Sequence, residues 1–167
     1  MAASPSPSHY HDSSSYSAEW EYDVFLCFRG ADTGHGFTSH LRAALSDNQI
    51  KTFMNDELEK TKSIDGLISV LQRSTLSIVI FSANFADSTW CLEEVATLAR
   101  RMQKFGHKVL PVFYKVDPSD VLEDSGSYAA AIEQKHGGSK SPKDMKRWKD
   151  ALKAVANCVG HTSQVIM

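Results

Sequence analysis

The chain has 167 residues, enough for one domain with a substantial core, and its 42% hydrophobic and 23% charged content is that of a globular protein. A formal net charge of −2 gives no general attraction to nucleic acid or anionic lipid, and no apolar run approaches the roughly 20 residues that span a bilayer. Cys27, Cys91 and Cys158 are odd in number and lie in apolar surroundings, which argues for buried thiols and against a disulfide framework.

Residues 1–20 read as a disordered Ser/Pro-rich leader with no apolar core for a secretory signal. The stretch YDVFLCFRG, from Tyr22 through Gly30, then supplies an almost unbroken apolar run, as expected of a strand at the centre of a parallel sheet covered on both faces. Phe37, Leu41, Ala44 and Leu45 carry helical spacing. Ile50 to Phe53 predicts a short second strand, and MNDELEKTKS is too charged for core and predicts a mobile surface loop. Ile64, Leu67, Ile68 and Leu71 predict the next helix, with Ser63 placed to cap it. LSIVIF, Leu76 to Phe81, predicts a buried third strand. A helix follows from about Thr89 to Gln103, with Val95, Leu98, Ala99 and Met102 facing inward, and His107 to Phe113 predicts a fourth strand. Strand and helix alternate at the spacing of a parallel α/β sheet with crossover helices.

The last third predicts a loop over YKVDPSDV, a short helix from Ser127 to Gln134 and a linker over HGGSKS. Ser141-Pro142 with Asp144 predicts a helix start, and Met145, Trp148, Leu152, Val155 and Val159 line one face up to Gly160. SQVIM offers a fifth strand.

The carboxyl ends of the strands are where open α/β sheets bind ligands. Arg29 and Gly30 stand there, and Gly30, Gly34 and Gly36 match neither the dinucleotide fingerprint nor a Walker loop. Arg29 could fork onto a phosphate or carboxylate, or pair with Asp32 to fix the turn; its position alone gives both equal weight. Trp90 and Glu94, four apart, share a helix face beside the Arg29 loop, with Glu93 pointing elsewhere. A carboxylate next to an aromatic wall in a cleft could orient sugar hydroxyls and stabilise positive charge on a ribose carbon. Ordinary packing of Trp90 and a favourable acid near a helix start is the competing account. The seven histidines show no zinc-like spacing, and no GxSxG elbow or CxxC is present. Lys140, Lys143, Lys146, Arg147, Lys149 and Lys153 form a basic cluster interrupted by Asp144 and Asp150, a solvated helix face before a nucleic-acid contact.

YDVFLCFRG with ADT, FTSHLRAAL, IKTF with ND, LSIVIFSANFADSTWCLEE, VLPVFYKVDPSDV and RWKDALKAVANCVG together resemble the plant Toll/interleukin-1 receptor (TIR) domain family, in register from about Glu21 to Gly160. The resemblance implies a flavodoxin-like open parallel sheet of five strands with helices on both faces. It further implies one domain over 21–167 that stops short of the family's last helix. It implies NAD+ or NADP+ cleavage in plant innate immunity, with NAD+ as substrate and no bound cofactor or metal. The catalytic residue would be Glu94, and the substrate-binding residues Phe28, Arg29, Gly30, Asp32, Asp56, Ser82, Trp90 and Cys91. Nicotinamide is already a good cationic leaving group, so a lone acid suffices to stabilise the oxocarbenium-like state. Water capture would give ADP-ribose, and internal attack a cyclic variant. Self-association, with Ser39 and His40 on one surface, would complete the site in a cytoplasmic or nucleocytoplasmic setting, with no membrane. A non-enzymatic adaptor that recruits other TIR domains is the alternative.

The chain departs from the family pattern at Gly30-Ala31-Asp32, where GED is usual, and at NDELEKTKSI, where the loop is one residue short and Thr61 replaces a glycine.

Overall fold

The computed structural model describes residues 20–158. Four strands form one parallel sheet: β1 (Tyr22–Cys27), β2 (Thr52–Met54), β3 (Ser74–Phe81) and β4 (Lys108–Phe113), in the order β2-β1-β3-β4. Register runs Leu26 to Met54, Leu26 to Ile78 and Phe81 to Phe113. Four strands, rather than five, are present among the described residues, and SQVIM lies outside them.

Parallel neighbours need crossovers. α1 (Gly30–Thr33) and α2 (Phe37–Asp47) join β1 to β2, α3 (Asp56–Glu59) and α4 (Ile64–Gln72) join β2 to β3, and α5 (Thr89–Phe105) joins β3 to β4. After β4 come α6 (Pro118–Leu122), α7 (Ser127–His136) and α8 (Pro142–Ala156). The pleat divides the strand side chains between two layers. Phe25, Cys27, Val79 and Phe81 enter the larger core with Leu67, Leu92, Val95, Leu98, Trp148 and Val155 of α4, α5 and α8. Val24, Leu26, Ile78 and Ile80 enter a thinner layer, against which Phe37, Leu41 and Leu45 of α2 pack half-buried.

The caps follow the sequence. Ser63 Oγ accepts the Gly66 N–H at 3.0 Å, and Ser141 Oγ accepts that of Asp144 at 3.1 Å. Gly106, at φ 65°, ends α5 in the left-handed region that favours glycine.

Three local expectations are corrected. The charged stretch after β2 holds the short helix α3, turned by the Asn55 carbonyl, which accepts the N–H groups of Leu58 and Glu59. The YKVDPSDV segment holds α6, whose start is a capping box. The Asp117 carboxylate accepts the Ser119 N–H at 2.9 Å while the Asp120 carboxylate accepts that of Asp117 at 3.1 Å. Pro118 does hold Asp117 extended, at φ −78° and ψ 140°. Lastly, α8 stops at Ala156, with Asn157 as its cap. Val159 and Gly160 lie outside the described residues.

The basic cluster is largely matched by acids: Lys146 with Asp150, Lys149 with Glu133, Lys153 with Asp124, and Arg147 with Glu93. These exposed pairs contribute little to stability, but they remove the charge excess a polyanion would need.

Candidate active site

At the carboxyl ends of β1, β2 and β3 the chain runs into Phe28-Arg29, Asn55 and Ser82 respectively, and the amino-terminal half of α5 lies beside them. Glu94 of α5 is fully buried there. The Asn55 Nδ2 group donates to both of its oxygens, at 3.0 and 2.9 Å, and to the Phe28 carbonyl at 3.0 Å. The Cys27 thiol also favours the charged form of Glu94. Burial pushes the Glu94 carboxyl from its ordinary 4.5 to about 8, a rise to which Glu59 adds and which Cys27 and Asn55 oppose. Burial and the Glu94 charge in turn push the Cys27 and Cys91 thiols up.

Asp32 organises the neighbouring turns. Its carboxylate accepts from Arg29 Nη1 at 2.9 Å, Ser82 Oγ at 2.6 Å, the Asn84 N–H at 2.9 Å and Asn84 Nδ2 at 3.2 Å. Burial works to raise its pKa, and these hydrogen bonds outweigh it and hold the carboxyl below 3.8. Of the two readings of Arg29, the structure therefore contains the pairing with Asp32. The Ser82 carbonyl is held in turn by the Tyr128 hydroxyl, at 2.6 Å.

The remaining residues divide. Phe28 is buried, and its carbonyl also accepts from the Cys91 Sγ at 3.7 Å. Cys91 is buried, and its N–H donates to the cap Ser88. Trp90 is 5% exposed, and its Nε1 has no partner among the described residues. Gly30 opens α1, with no heavy atom where a side chain would begin. Asp56 is exposed at the start of α3. Ser39 and His40 are exposed on α2, where the Ser39 hydroxyl donates to the Gly34 carbonyl. Glu93 does point elsewhere, to Arg147 at 2.8 Å and Trp148 Nε1 at 3.2 Å on α8.

The expected cleft beside Glu94 is closed. Its carboxylate is occupied by Asn55, a residue that sequence reasoning missed. A polar side chain directly after β2, level with the Arg29 strand end, was the signal that could have found it. A groove of about 1180 Å³ lies instead between α4, α5 and α8, lined by Ile68, Ala96, Arg100, Phe105 and Arg147. Among the described residues no His, Cys, Asp and Glu cluster could hold a metal ion, and no helix is long and apolar enough to cross a membrane.

Chemically, Glu94 is a carboxylate in a dry setting that ionises in the neutral-to-alkaline range. Two buried polar atoms, Asn55 Oδ1 and Trp90 Nε1, lack partners nearby in the chain. Unsatisfied buried groups are costly, and a water or a bound ligand would satisfy these two.

A family model described as TIR domain matches residues 21–167. TMV resistance protein N from Nicotiana glutinosa is 44% identical over 151 residues, covering 89% of this chain and 13% of that protein. Disease resistance protein RPV1 from Vitis rotundifolia is 41% identical over 141 residues, covering 83% of this chain and 10% of that protein. RPP5 from Arabidopsis thaliana is 41% identical over 151 residues, with 88% and 10% covered. The chain thus spans only about an eighth or less of these relatives' lengths. Among solved structures, the TIR domains of the activated Roq1 resistosome, which directly recognizes the pathogen effector XopQ, superpose with a TM-score of 0.73. They share 44% identity, over 84% of this chain and 86% of that one.

Proposed function

This chain belongs to the TIR domain family, and from that premise we propose that it cleaves NAD+ at the nicotinamide–ribose bond as a self-associating enzyme of plant immune signalling. Glu94 carries the reading: a buried carboxylate at the strand ends, raised to about 8 and held by Asn55, whose own Oδ1 has no partner among the described residues. In its ionised form it would accept the hydroxyls of the nicotinamide-bearing ribose and stabilise the positive charge that develops as the carbon–nitrogen bond breaks. The bonding electron pair leaves with nicotinamide, which becomes neutral and needs no proton. Water then bonds to the ribose carbon and releases a proton, giving ADP-ribose. An internal nucleophile in place of water gives a cyclic isomer, and NADP+ fits the same chemistry.

Arg29 and Asp32 act in this reading as a fixed pair that shapes the rim. Phe28, Gly30, Ser82 and Cys91 form the floor around the strand ends, Trp90 the aromatic wall and Asp56 the outer lip. Self-association over Ser39 and His40 would accompany opening of the closed site, with Asn55 kept on the Glu94 carboxylate. In this reading the domain spans 21–167 with a flavodoxin-like sheet of five strands, and β4 is the edge among the described residues, where Leu110 is exposed. A cytoplasmic or nucleocytoplasmic site of action follows from the same reading.

The test is nicotinamide release from NAD+ over a protein concentration series, beside Glu94→Ala. Release that depends on Glu94, and rises per molecule with concentration, supports assembly-dependent catalysis. Dilution-independent specific activity refutes the assembly step. Silence from a folded, concentrated chain moves the reading to a non-enzymatic adaptor.

A further inference from the structure

We propose that Asn55 is the positioning residue of Glu94: it clamps the carboxylate between β1 and α5 and sets the pH at which that carboxylate ionises. The functional weight of this inference rests on the glycohydrolase reading, and the contact itself rests on the geometry.

Asn55 is held before its side chain is considered. It follows β2 directly, and its N–H donates to the Leu26 carbonyl of β1 at 3.1 Å, which continues the strand pairing by one residue. Its side chain then reaches across the end of β1 to α5, 1% exposed. The amide nitrogen has two hydrogens and three acceptors: the Phe28 carbonyl and both oxygens of Glu94. One hydrogen serves the carbonyl and the other is shared by the carboxylate. That pattern suits an ionised carboxylate, because a protonated acid would bring a hydrogen of its own to the same place.

The amide orientation is dictated by its surroundings. Turned over, Oδ1 would face three acceptors, so the NH2 group points inward although Oδ1 is left buried without a partner. Among the described residues the Cys27 thiol is the other group that opposes the rise. The titratable groups facing Glu94 are Cys27 of β1, Cys91 on its own helix and Glu59 of α3. The two thiols are weak donors and Glu59 is a like charge. Arg29, the nearby cation, is engaged by Asp32. The Asn55 amide is the donor within 3.0 Å of both Glu94 oxygens, and with Cys27 it offsets burial of the Glu94 charge.

Two variants and one measurement on the unmodified chain test this. In Asn55→Asp the donor becomes a second carboxylate, and in Asn55→Ala it is lost. The acid limb of kcat against pH should move up by about one unit or more in Asn55→Asp and by less in Asn55→Ala, as expected for loss of a donor or gain of a like charge. Activity should return at alkaline pH, with KM little changed. A residue that merely supported the fold would lower kcat at every pH. The Glu94 carboxyl-carbon NMR shift, assigned with Glu94→Gln, reads the same ionisation with no substrate present. This arm decides the proposal even if the chain cleaves no NAD+. In the unmodified chain, the side-chain NH2 signals of Asn55 should titrate with Glu94 and cease to do so in Glu94→Gln, which covers the case in which neither Asn55 variant folds. An unmoved Glu94 midpoint in folded variants, or Asn55 signals blind to its titration, overturns the proposal.

Discussion

Replacing Glu94 by Gln should make the chain more stable and leave it inactive. Gln keeps the side-chain shape and an acceptor for the Asn55 amide, and it removes the charge. The magnitude follows from linkage. Below pH 4.5 the Glu94 carboxyl is protonated whether the chain is folded or not, and the native state carries no penalty from it. From there to about 8 the unfolded chain ionises first and the folded chain resists. Native stability therefore falls by about 1.4 kcal/mol per pH unit through this window. By the upper end the loss reaches about 5 kcal/mol, a large share of the roughly 5–15 kcal/mol a domain possesses. Urea unfolding of both chains in steps from about pH 4 to about pH 9 spans the window. The two should agree at the acid end and diverge steadily, with Glu94→Gln the more stable at the alkaline end. Parallel loss of stability in both chains would refute the argument, since it would place the titrating group elsewhere.

Asp32→Ala should cost about 2–3 kcal/mol in urea unfolding, because Ser82 loses the acceptor of its buried hydroxyl and Arg29 its partner. Since the Asp32 carboxyl is held below 3.8, its contribution is present above that pH and lost as pH falls toward its folded value; a variant with native acid stability well above that range would contradict the assigned bonds. Cys27 and Cys91, buried and with thiols pushed up by burial, should resist an aromatic disulfide reagent until the chain unfolds, while the half-buried Cys158 reacts sooner; rapid native labelling of Cys27 would mean that the strand ends open far more than described.

The alternating layout was legible because each strand in the larger core announces itself by composition. LSIVIF is apolar on both faces, and only the middle of a covered sheet accommodates that. Helix starts were legible for a different reason: Ser63 and Ser141 act locally, through bonds three residues away. The short helices were not. α3 is rich in charge and has no apolar stripe, and α6 was hidden behind a proline that also suits a loop, although Asp117 and Asp120 spelled a capping box. In the site, Glu94 and Trp90 could be placed on one helix face by spacing alone. Whether that face opened onto solvent could not, because closure comes from Asn55, 39 positions away in sequence. Arg29 shows the same limit. Its partner Asp32 lies close in sequence, but the lock on Asp32 comes from Ser82 and Asn84, 50 and 52 positions on.

The unequal thickness of the two layers has a consequence for motion. α2 covers the thin side, and of its residues Thr38 alone is buried, its hydroxyl bonded to Thr33 at 2.7 Å. The opposite side is anchored by Trp148, Tyr128, Phe81 and Phe85. Backbone amides of α2 will therefore exchange with solvent through openings that leave β1 and β3 intact, so the molecule breathes from one side. Ser39 and His40 ride on that helix. A second copy gripping them would act by quieting α2, and the gain in order would register as slowed exchange there before any change in the sheet.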